Sequence, residues 1–427
     1  ETILDNLIKK GQTQDAAQVA TDLVNMVEKL HSDVWSENSF QTLRMIANDP
    51  DGKWAHYAQR LIRDNDPYIL KTFLTNAVYE GGIRGYHVAQ QTAAKYDINV
   101  PWLILMDPTS ACNMHCTGCW AAEYGHKQSL TFEEMDRVLT EGKELGTHAC
   151  LFTGGEPLMR KKDMIRLCEK HRDIAFHAFT NGTLIDDEFC KEMLRVGNFF
   201  VSVSIEGFEE ANDGRRGDGH FQKALAAMDL MRSYRIPFGV SICYTSRNYK
   251  VVTSDEFLDL LISKGCVFAW YFHYMPVGQN ADTSLLLTPE QRTYMKDRVR
   301  EIRGVTGGKE LYCIDFQNDG EFAGGCVATS TPQAMSSRAS LSTTRAPTSE
   351  IRVFWSACSS RCSSSIARGS RSTKTTCAHV RCSKTRSFCP KWWQNPARIR
   401  PTWKRRKARS TCAKSAGHTP SAGSPRQ

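Results

Sequence analysis

The sequence predicts an α/β protein built on a parallel sheet, and two observations carry that prediction. Six short segments rich in apolar, β-branched or aromatic residues recur between about residues 100 and 304. Each is followed by a stretch of helical periodicity. An alternation of strand and helix sets successive strands side by side and parallel, as a partial barrel or an open doubly wound sheet. The strands are 102–107 (WLILMD), 149–153 (ACLFT), 174–180 (IAFHAFT), 199–205 (FFVSVSI), 238–244 (FGVSICY) and 267–274 (VFAWYFHY). The helices fall near 132–145, 161–172, 186–196, 220–235, 254–264 and 289–303. Thr131 and Glu134 form a capping box that opens the first of them. In such folds chemistry gathers at the C-terminal ends of the strands.

Residues 1–95 read as helical, and residues 1–98 are assigned to an N-terminal extension. Val19, Leu23, Met26, Val27 and Leu30 form one apolar face, and a second such stretch runs from Tyr68 to Ala93. Nothing in the extension points to chemistry. A chain of 427 residues can hold one large domain and one or two small ones. It begins with Glu1 rather than Met, as a fragment or a processed chain would. No stretch reaches the ~18 apolar residues a transmembrane helix needs. No basic-then-apolar leader opens the chain. The expectation is a cytoplasmic protein, in which 16 cysteines point to metal rather than disulfides.

The net charge of +9 conceals a break. Residues 327–427 hold 20 Lys and Arg and one acid, Glu350. Taken from totals of 55 and 46, this leaves 35 bases against 45 acids in residues 1–326. The body is acidic and the tail strongly basic.

Cys112-Asn-Met-His-Cys116-Thr-Gly-Cys119 follows the first strand directly. Three thiolates at these spacings on one loop can ligate three irons of a cubane. The fourth iron is then open to bind and act on a ligand, whereas a structural cluster is normally closed by four cysteines. A zinc site of three cysteines and His115 or His126 is the bland alternative. Thr153-Gly154-Gly155-Glu156-Pro157 ends the second strand, at the same end of the sheet. Its glycines let backbone approach a ligand closely, and exposed carbonyls there suit an ammonium group. The bland alternative is an ordinary βα turn.

Together the CxxxCxxC loop and the GGEP turn resemble the radical S-adenosylmethionine (SAM) superfamily, over roughly residues 100–304. The resemblance implies a partial (βα)6 TIM-like barrel in which Cys112, Cys116 and Cys119 hold a [4Fe–4S] cluster. SAM would chelate the open iron, and one electron would cleave it to methionine and a 5′-deoxyadenosyl radical that abstracts hydrogen from the substrate. Gly154, Gly155, Glu156 and Pro157 match the motif that binds the methionyl amine, mainly through backbone. Asn181, in TNG, and Ser204, in VSIEG, match positions near the ribose or methionyl carboxylate. Arg216 resembles an arginine of the peptide-modifying and cofactor-maturing branches. Met275-Pro276-Val277-Gly278 falls where the family has a loop near SAM. The family usually carries an aromatic residue before the last cysteine, packed near the adenine. Here that position is Gly118, with Trp120 just after the triplet as a substitute. A ferredoxin or flavodoxin would supply the electron. The substrate would be a small molecule, a peptide or a lipid, with peptide or cofactor-precursor maturation favoured.

Cys150, Cys168, Cys190, Cys243 and Cys266 fall in strands or helices and read as core thiols. Cys313 and Cys326 flank a Gly-containing loop past the sixth repeat. In the SPASM/twitch subfamily, cysteines there bind an auxiliary iron–sulfur cluster, so Cys326, and secondarily Cys313, are candidate ligands against free thiols. Residues 305–326 would begin that domain. Residues 327–427 do not continue it: 20 serines and runs such as KRRKAR replace any periodicity. Read one nucleotide earlier with permitted codons, TSTPQAMSSRASLSTT becomes approximately YIHTSSHVEPCFTFHY, like the subfamily's strand-turn-strand ending in Val-Glu-Pro-Cys. Met335 has the single codon ATG, so its G before a TCN serine codon forces Val. The tail therefore reads as out of frame, which would leave the auxiliary domain corrupted and the chain inactive or unstable. A disordered basic tail binding nucleic acid is the bland alternative, and no nucleic-acid partner is expected. A non-enzymatic iron–sulfur or zinc protein is the rival from another class.

Overall fold

The computed structural model describes residues 37–96, 100–119, 121, 127–276, 281–304, 308–316 and 327–330, with isolated positions before residue 37. The Val19–Leu30 face, Trp120, His126, Val277, Gly278, Cys326 and residues 331–427 lie outside them.

Eight parallel strands form one sheet: β1 Leu103–Met106, β2 Ala149–Phe152, β3 Ala175–Thr180, β4 Phe199–Ser204, β5 Gly239–Tyr244, β6 Phe268–His273, β7 Tyr312–Asp315 and β8 Val327–Ser330. Their order is β7-β6-β5-β4-β3-β2-β1-β8. The six expected strands are the six central ones, each within a residue or two of its expected bounds. Beyond them, β7 pairs with β6 at one edge and β8 with β1 at the other.

Helices join them. The first, α1 Glu37–Ala47, α2 Lys53–Asp64, α3 Pro67–Phe73 and α4 Tyr86–Tyr96, precede the sheet, with a π-helical stretch at Leu74–Gly85 between the last two. Then come α5 Phe132–Glu144, α6 Lys161–Lys170, α7 Asp187–Val196, α8 Glu209–Arg216, α9 His220–Ser233, α10 Asp255–Ser263 and α11 Pro289–Arg303. The capping box of Thr131 and Glu134 is present on α5.

Strand alternation divides the sheet into two faces. Ile104, Phe152, Phe176, Val201, Val203, Val240, Ile242, Ala269 and Tyr271 are wholly buried, and with apolar positions of α5 to α11 they form the core. Residues of the other parity line a lumen. There His177 and Phe179 of β3 touch rings of β6: Phe179 lies 5.7 Å from Trp270 and 5.4 Å from Phe272, and His177 6.3 Å from Trp270. In a flat sheet, three strand spacings of ~4.8 Å would hold β3 and β6 about 14 Å apart. Ring contact across that span requires the sheet to curl, and the fold is a partial TIM-like barrel. The rings form one cluster inside the lumen, Trp270 and Phe272 stacked at 6.1 Å with Phe316 against both. The VFAWYFHY strand thus splits its aromatics, Tyr271 going to the core and Trp270 and Phe272 to a floor beneath the C-terminal mouth.

The N-terminal helices close the other end. They run beneath the strand starts in reverse order. Lys53 Nζ and Trp54 Nε1 donate to the Ile302 and Gly304 carbonyls before β7 (2.6 and 3.1 Å). Tyr57 and Arg60 donate to Val267 and Cys266 before β6. Asp66 N–H reaches Arg235 before β5, and the Tyr68 hydroxyl reaches Val196 before β4. Asn76 Nδ2 donates to Arg172 and Ile174 before β3 (2.6 and 3.1 Å). Phe73 packs edge-on against Phe200 in the lumen. No described helix is long and apolar enough to cross a membrane.

Candidate functional site

The C-terminal mouth is where loops meet. The segment after β1 carries the cysteines, and the turn after β2 lies directly along it. Gly155 N–H donates to the Thr109 carbonyl (2.9 Å) and Glu156 N–H to the Ala111 carbonyl (2.8 Å). Side chains are excluded there: a Cβ on Gly155 would collide with the Ala111 carbonyl, and Gly154 holds a φ of +102° against Asp107 and Thr109. The glycines serve the close passage of two backbones. The Gly155 and Glu156 donors of this turn are used, whereas the carbonyls of Gly154 and Gly155 accept no hydrogen bond among the described residues.

Glu156 turns inward. Its carboxylate, 2% exposed, accepts from Thr180 Oγ1 (2.7 Å), Asn181 N–H (2.8 Å) and Leu158 N–H (3.0 Å). Burial raises its pKa and these three donors oppose the shift. Its side chain therefore ties the β2 end to the β3 end. Pro157 opens the 3₁₀ turn Pro157–Arg160 that leads into α6. From β3, Asn181 Nδ2 donates to Asn113 Oδ1 (2.8 Å), and Asn113 returns a bond to Thr183 Oγ1 (2.8 Å). Asn113 sits inside the cysteine loop. The sequence reading passed over it; its place between Cys112 and Cys116 was the available signal.

Cys112, Cys116 and Cys119 are free, half-buried thiols on one loop. Burial pushes the Cys112 thiol up to about 11 and raises that of Cys116, where Arg216 and Arg215 pull the other way. No three His, Cys, Asp or Glu side chains among the described residues gather round a single ion position. Cubane ligands bind separate irons, so thiols spread along a loop suit that donor geometry. Gly118, at φ +64°, lies where a Cβ would come 2.6 Å from the Tyr274 ring. Tyr274 follows β6 and is 1% exposed. Tyr274 thus fills the space that a side chain at position 118 would need.

Ser204 ends β4 half-buried on the lumen face, level with Ser241. No hydrogen bond engages its hydroxyl among the described residues. Arg216 ends α8, a helix the sequence reading missed. Its guanidinium lies 4.0 Å from Cys116 Sγ and pairs with buried Glu206 (2.6 Å). His220 links these elements: Nδ1 meets Asn212 (3.0 Å) and Nε2 meets the Asn181 carbonyl (2.9 Å). Burial lowers its pKa, and Arg216 adds to the effect. Asp107, 7% exposed just past β1, has an Oδ1 without a partner, and burial alone pushes its carboxyl up to about 7.

The cysteines outside the triplet divide by depth. Cys150, Cys168, Cys190 and Cys266 are buried core thiols as expected. Cys243 is not: alternation puts it on the lumen face of β5, half-buried, with its N–H on Glu206 Oε2 (2.9 Å). Cys313 lies in β7, wholly buried among Met295, Val299 and Ile302, which favours the free thiol over the ligand.

The family model described as the radical SAM superfamily matches residues 106–261. The chain is 28% identical over 230 residues to Fe-coproporphyrin III synthase of Methanosarcina barkeri, covering 52% of this chain and 57% of that one. It is 27% identical over 197 residues to the serine-type anaerobic sulfatase-maturating enzyme of Klebsiella aerogenes, covering 42% and 47%. The chain spans about half the length of the curated relatives it matches. Among solved structures, anSMEcpe with bound AdoMet and a peptide shares 24% identity at a TM-score of 0.40, over 47% of this chain and 58% of that one. Streptococcus suis SuiB bound to the precursor peptide SuiA shares 15% at 0.46, over 63% and 64%. The matched segment runs from the last residue of β1 into α10, so it takes in both the cysteine loop and the GGEP turn, and over that segment the chain carries a radical SAM domain.

Proposed function

We propose that this protein is a radical SAM enzyme whose Cys112, Cys116 and Cys119 hold a [4Fe–4S] cluster with one open iron. When bound, that cluster would supply the electron for reductive cleavage of SAM and so the means to start hydrogen abstraction from a substrate. The observation that carries the reading is the seam between loops: three free thiols held one backbone hydrogen bond from a glycine turn with two unused carbonyls.

The remaining roles belong to the chain's own residues. The Gly154 and Gly155 carbonyls receive the methionyl ammonium. Glu156 acts through its side chain by fixing the β3 loop, and Asn181 braces the cysteine loop through Asn113. The Ser204 hydroxyl would serve the ribose or methionyl carboxylate of SAM, and the Arg216 guanidinium would stand beside the cluster's Cys116 ligand. The aromatic floor of Phe179, Trp270 and Phe272 denies water a path from below, which protects a reactive intermediate. The substrate enters from the mouth above. A cofactor precursor or a peptide is favoured over a lipid, because relatives named for haem-type synthesis and sulfatase maturation share this core. A ferredoxin or flavodoxin supplies the electron. An auxiliary cluster at Cys326 belongs to an intact homologue.

Anaerobic reconstitution tests the reading. Iron and sulfide should give a [4Fe–4S] signal whose EPR spectrum changes when SAM is added, and dithionite should then yield 5′-deoxyadenosine. Zinc in place of iron, or a signal indifferent to SAM, overturns it in favour of a closed metal protein.

A further inference from the structure

The turn after β4 places a carboxylate where the sequence reading had assigned none. Glu206 is wholly buried. Its Oε1 accepts from Arg215 Nη1 (2.6 Å), Arg216 Nε (3.0 Å) and Arg216 Nη2 (2.6 Å), and its Oε2 accepts the Cys243 N–H (2.9 Å). Both arginines close α8, with side chains 14% and 10% exposed. The same helix end grips the cysteine loop through backbone, since Thr117 N–H donates to the Arg215 carbonyl (2.8 Å). Arg216 Nη1 is 4.0 Å from Cys116 Sγ, and Arg215 keeps a buried Nε without a partner.

Two guanidiniums share one carboxylate, so the group carries a net positive charge beside a thiolate ligand. Adjacent buried cations do not stay together without a counter-charge. Burial raises the Cys116 thiol most; of the charges around it, Arg216 and then Arg215 favour the thiolate more than Glu206 disfavours it. The group as a whole thus favours added negative charge at that corner of the loop. Cluster potentials follow local net charge and hydrogen bonds to sulfur.

We propose that Glu206 is a positioning residue that holds Arg215 and Arg216 as a cationic pair against Cys116, and so makes the cluster on this loop easier to reduce. This rests on the cluster reading given above. The sign of the effect separates anchoring from plain electrostatics. As a mere neighbouring negative charge, Glu206 would hinder reduction, and its removal would raise the midpoint potential. As an anchor, its removal releases both cations toward water, and the midpoint falls.

The test is an EPR-monitored redox titration of the anaerobically reconstituted full chain. Glu206→Gln should make one-electron reduction at least tenfold less favourable, a fall of ~59 mV. The double variant Arg215→Gln/Arg216→Gln should shift the same way, and adding Glu206→Gln to it should lower the midpoint no further. Glu206→Asp should recover at least half of the loss. A midpoint unchanged or raised in Glu206→Gln overturns the proposal, as does an equal shift in the chain lacking both arginines. Where Glu206→Gln loads no iron, Arg216→Gln and Glu206→Asp decide: both must lower the midpoint, Arg216→Gln the more, or the proposal fails. A parent chain without a SAM-responsive cluster sinks the cluster reading and this one with it. A responsive parent with unmoved variants sinks this one alone.

Discussion

Asp107 gives the sharpest quantitative expectation. Burial without a partner carries its carboxyl from 3.8 to about 7. At ~1.36 kcal/mol per pKa unit, a shift of about three units corresponds to ~4 kcal/mol between the two protonation states. The folded chain keeps this proton up to about pH 7, whereas the unfolded chain sheds it near pH 4. Between those values folding takes up a proton, so stability falls as pH rises through the window and levels off above it. An asparagine in place of the acid cannot ionise. Asp107→Asn should therefore gain on the parent by up to ~4 kcal/mol between pH 4 and pH 8, losing ~1 kcal/mol at the acid end, where its extra N–H is buried unpaired. Anaerobic urea denaturation at pH 4.5, 6 and 8 reads the difference. Parallel curves for parent and variant would refute the argument, because they would mean the carboxyl is solvated or paired in the folded chain.

Other expectations follow from the same geometry. Glu156→Ala strands three donors and should cost ~3 kcal/mol or more, read as a lowered thermal midpoint; a change within 0.5 kcal/mol would mean the β2–β3 tie carries little. Gly155→Ala pushes the turn off Ala111, so it should keep cluster iron but lose the SAM-induced EPR change; retention of that change would free the turn from its assigned role. Asn76→Ala unpairs the Arg172 and Ile174 carbonyls and should lose ~2 kcal/mol in denaturant, with activity per folded molecule intact. The pKa of His177 is lowered by burial to about 3, so its ring should not titrate by NMR between pH 5 and 8. Sequencing the locus should show a frame change near codon 327; an intact frame through residue 427 would return the tail to a genuine basic extension.

The repeats were legible because each βα unit carries its own period. FFVSVSI and the 186–196 helix declare themselves without reference to any neighbour. The cysteine loop and GGEP turn were legible because their chemistry is local in sequence. What escaped depended on polar partners or on distant ones, neither of which leaves an apolar period in the sequence. Helix α8, EEANDGRR, has no apolar stripe and is held by polar bonds, Asn212 Oδ1 accepting from Glu206 N–H and both terminal arginines binding the Glu206 carboxylate. Strand β7 is four residues ending in Asp315, an acid tolerated because the Tyr244 hydroxyl donates to it (2.8 Å). Tyr274 filling the space beside Gly118 is likewise a contact between residues more than 150 positions apart. Trp120, the substitute weighed from sequence, lies outside the described residues.

The helices beneath the strand starts tie the order of synthesis to the order of assembly. Lys53 and Trp54 meet carbonyls about 250 residues downstream, so the earliest part of this layer cannot be satisfied until α11 and the approach to β7 have been made. A nascent chain must keep the start of α2 waiting while six repeats emerge, and the contacts that shut the lower mouth form late. Any change that delays or garbles the chain just past α11 therefore acts on residues near its beginning. It would leave a lumen open to water at the end away from the cysteines, long before the cysteine loop itself is touched.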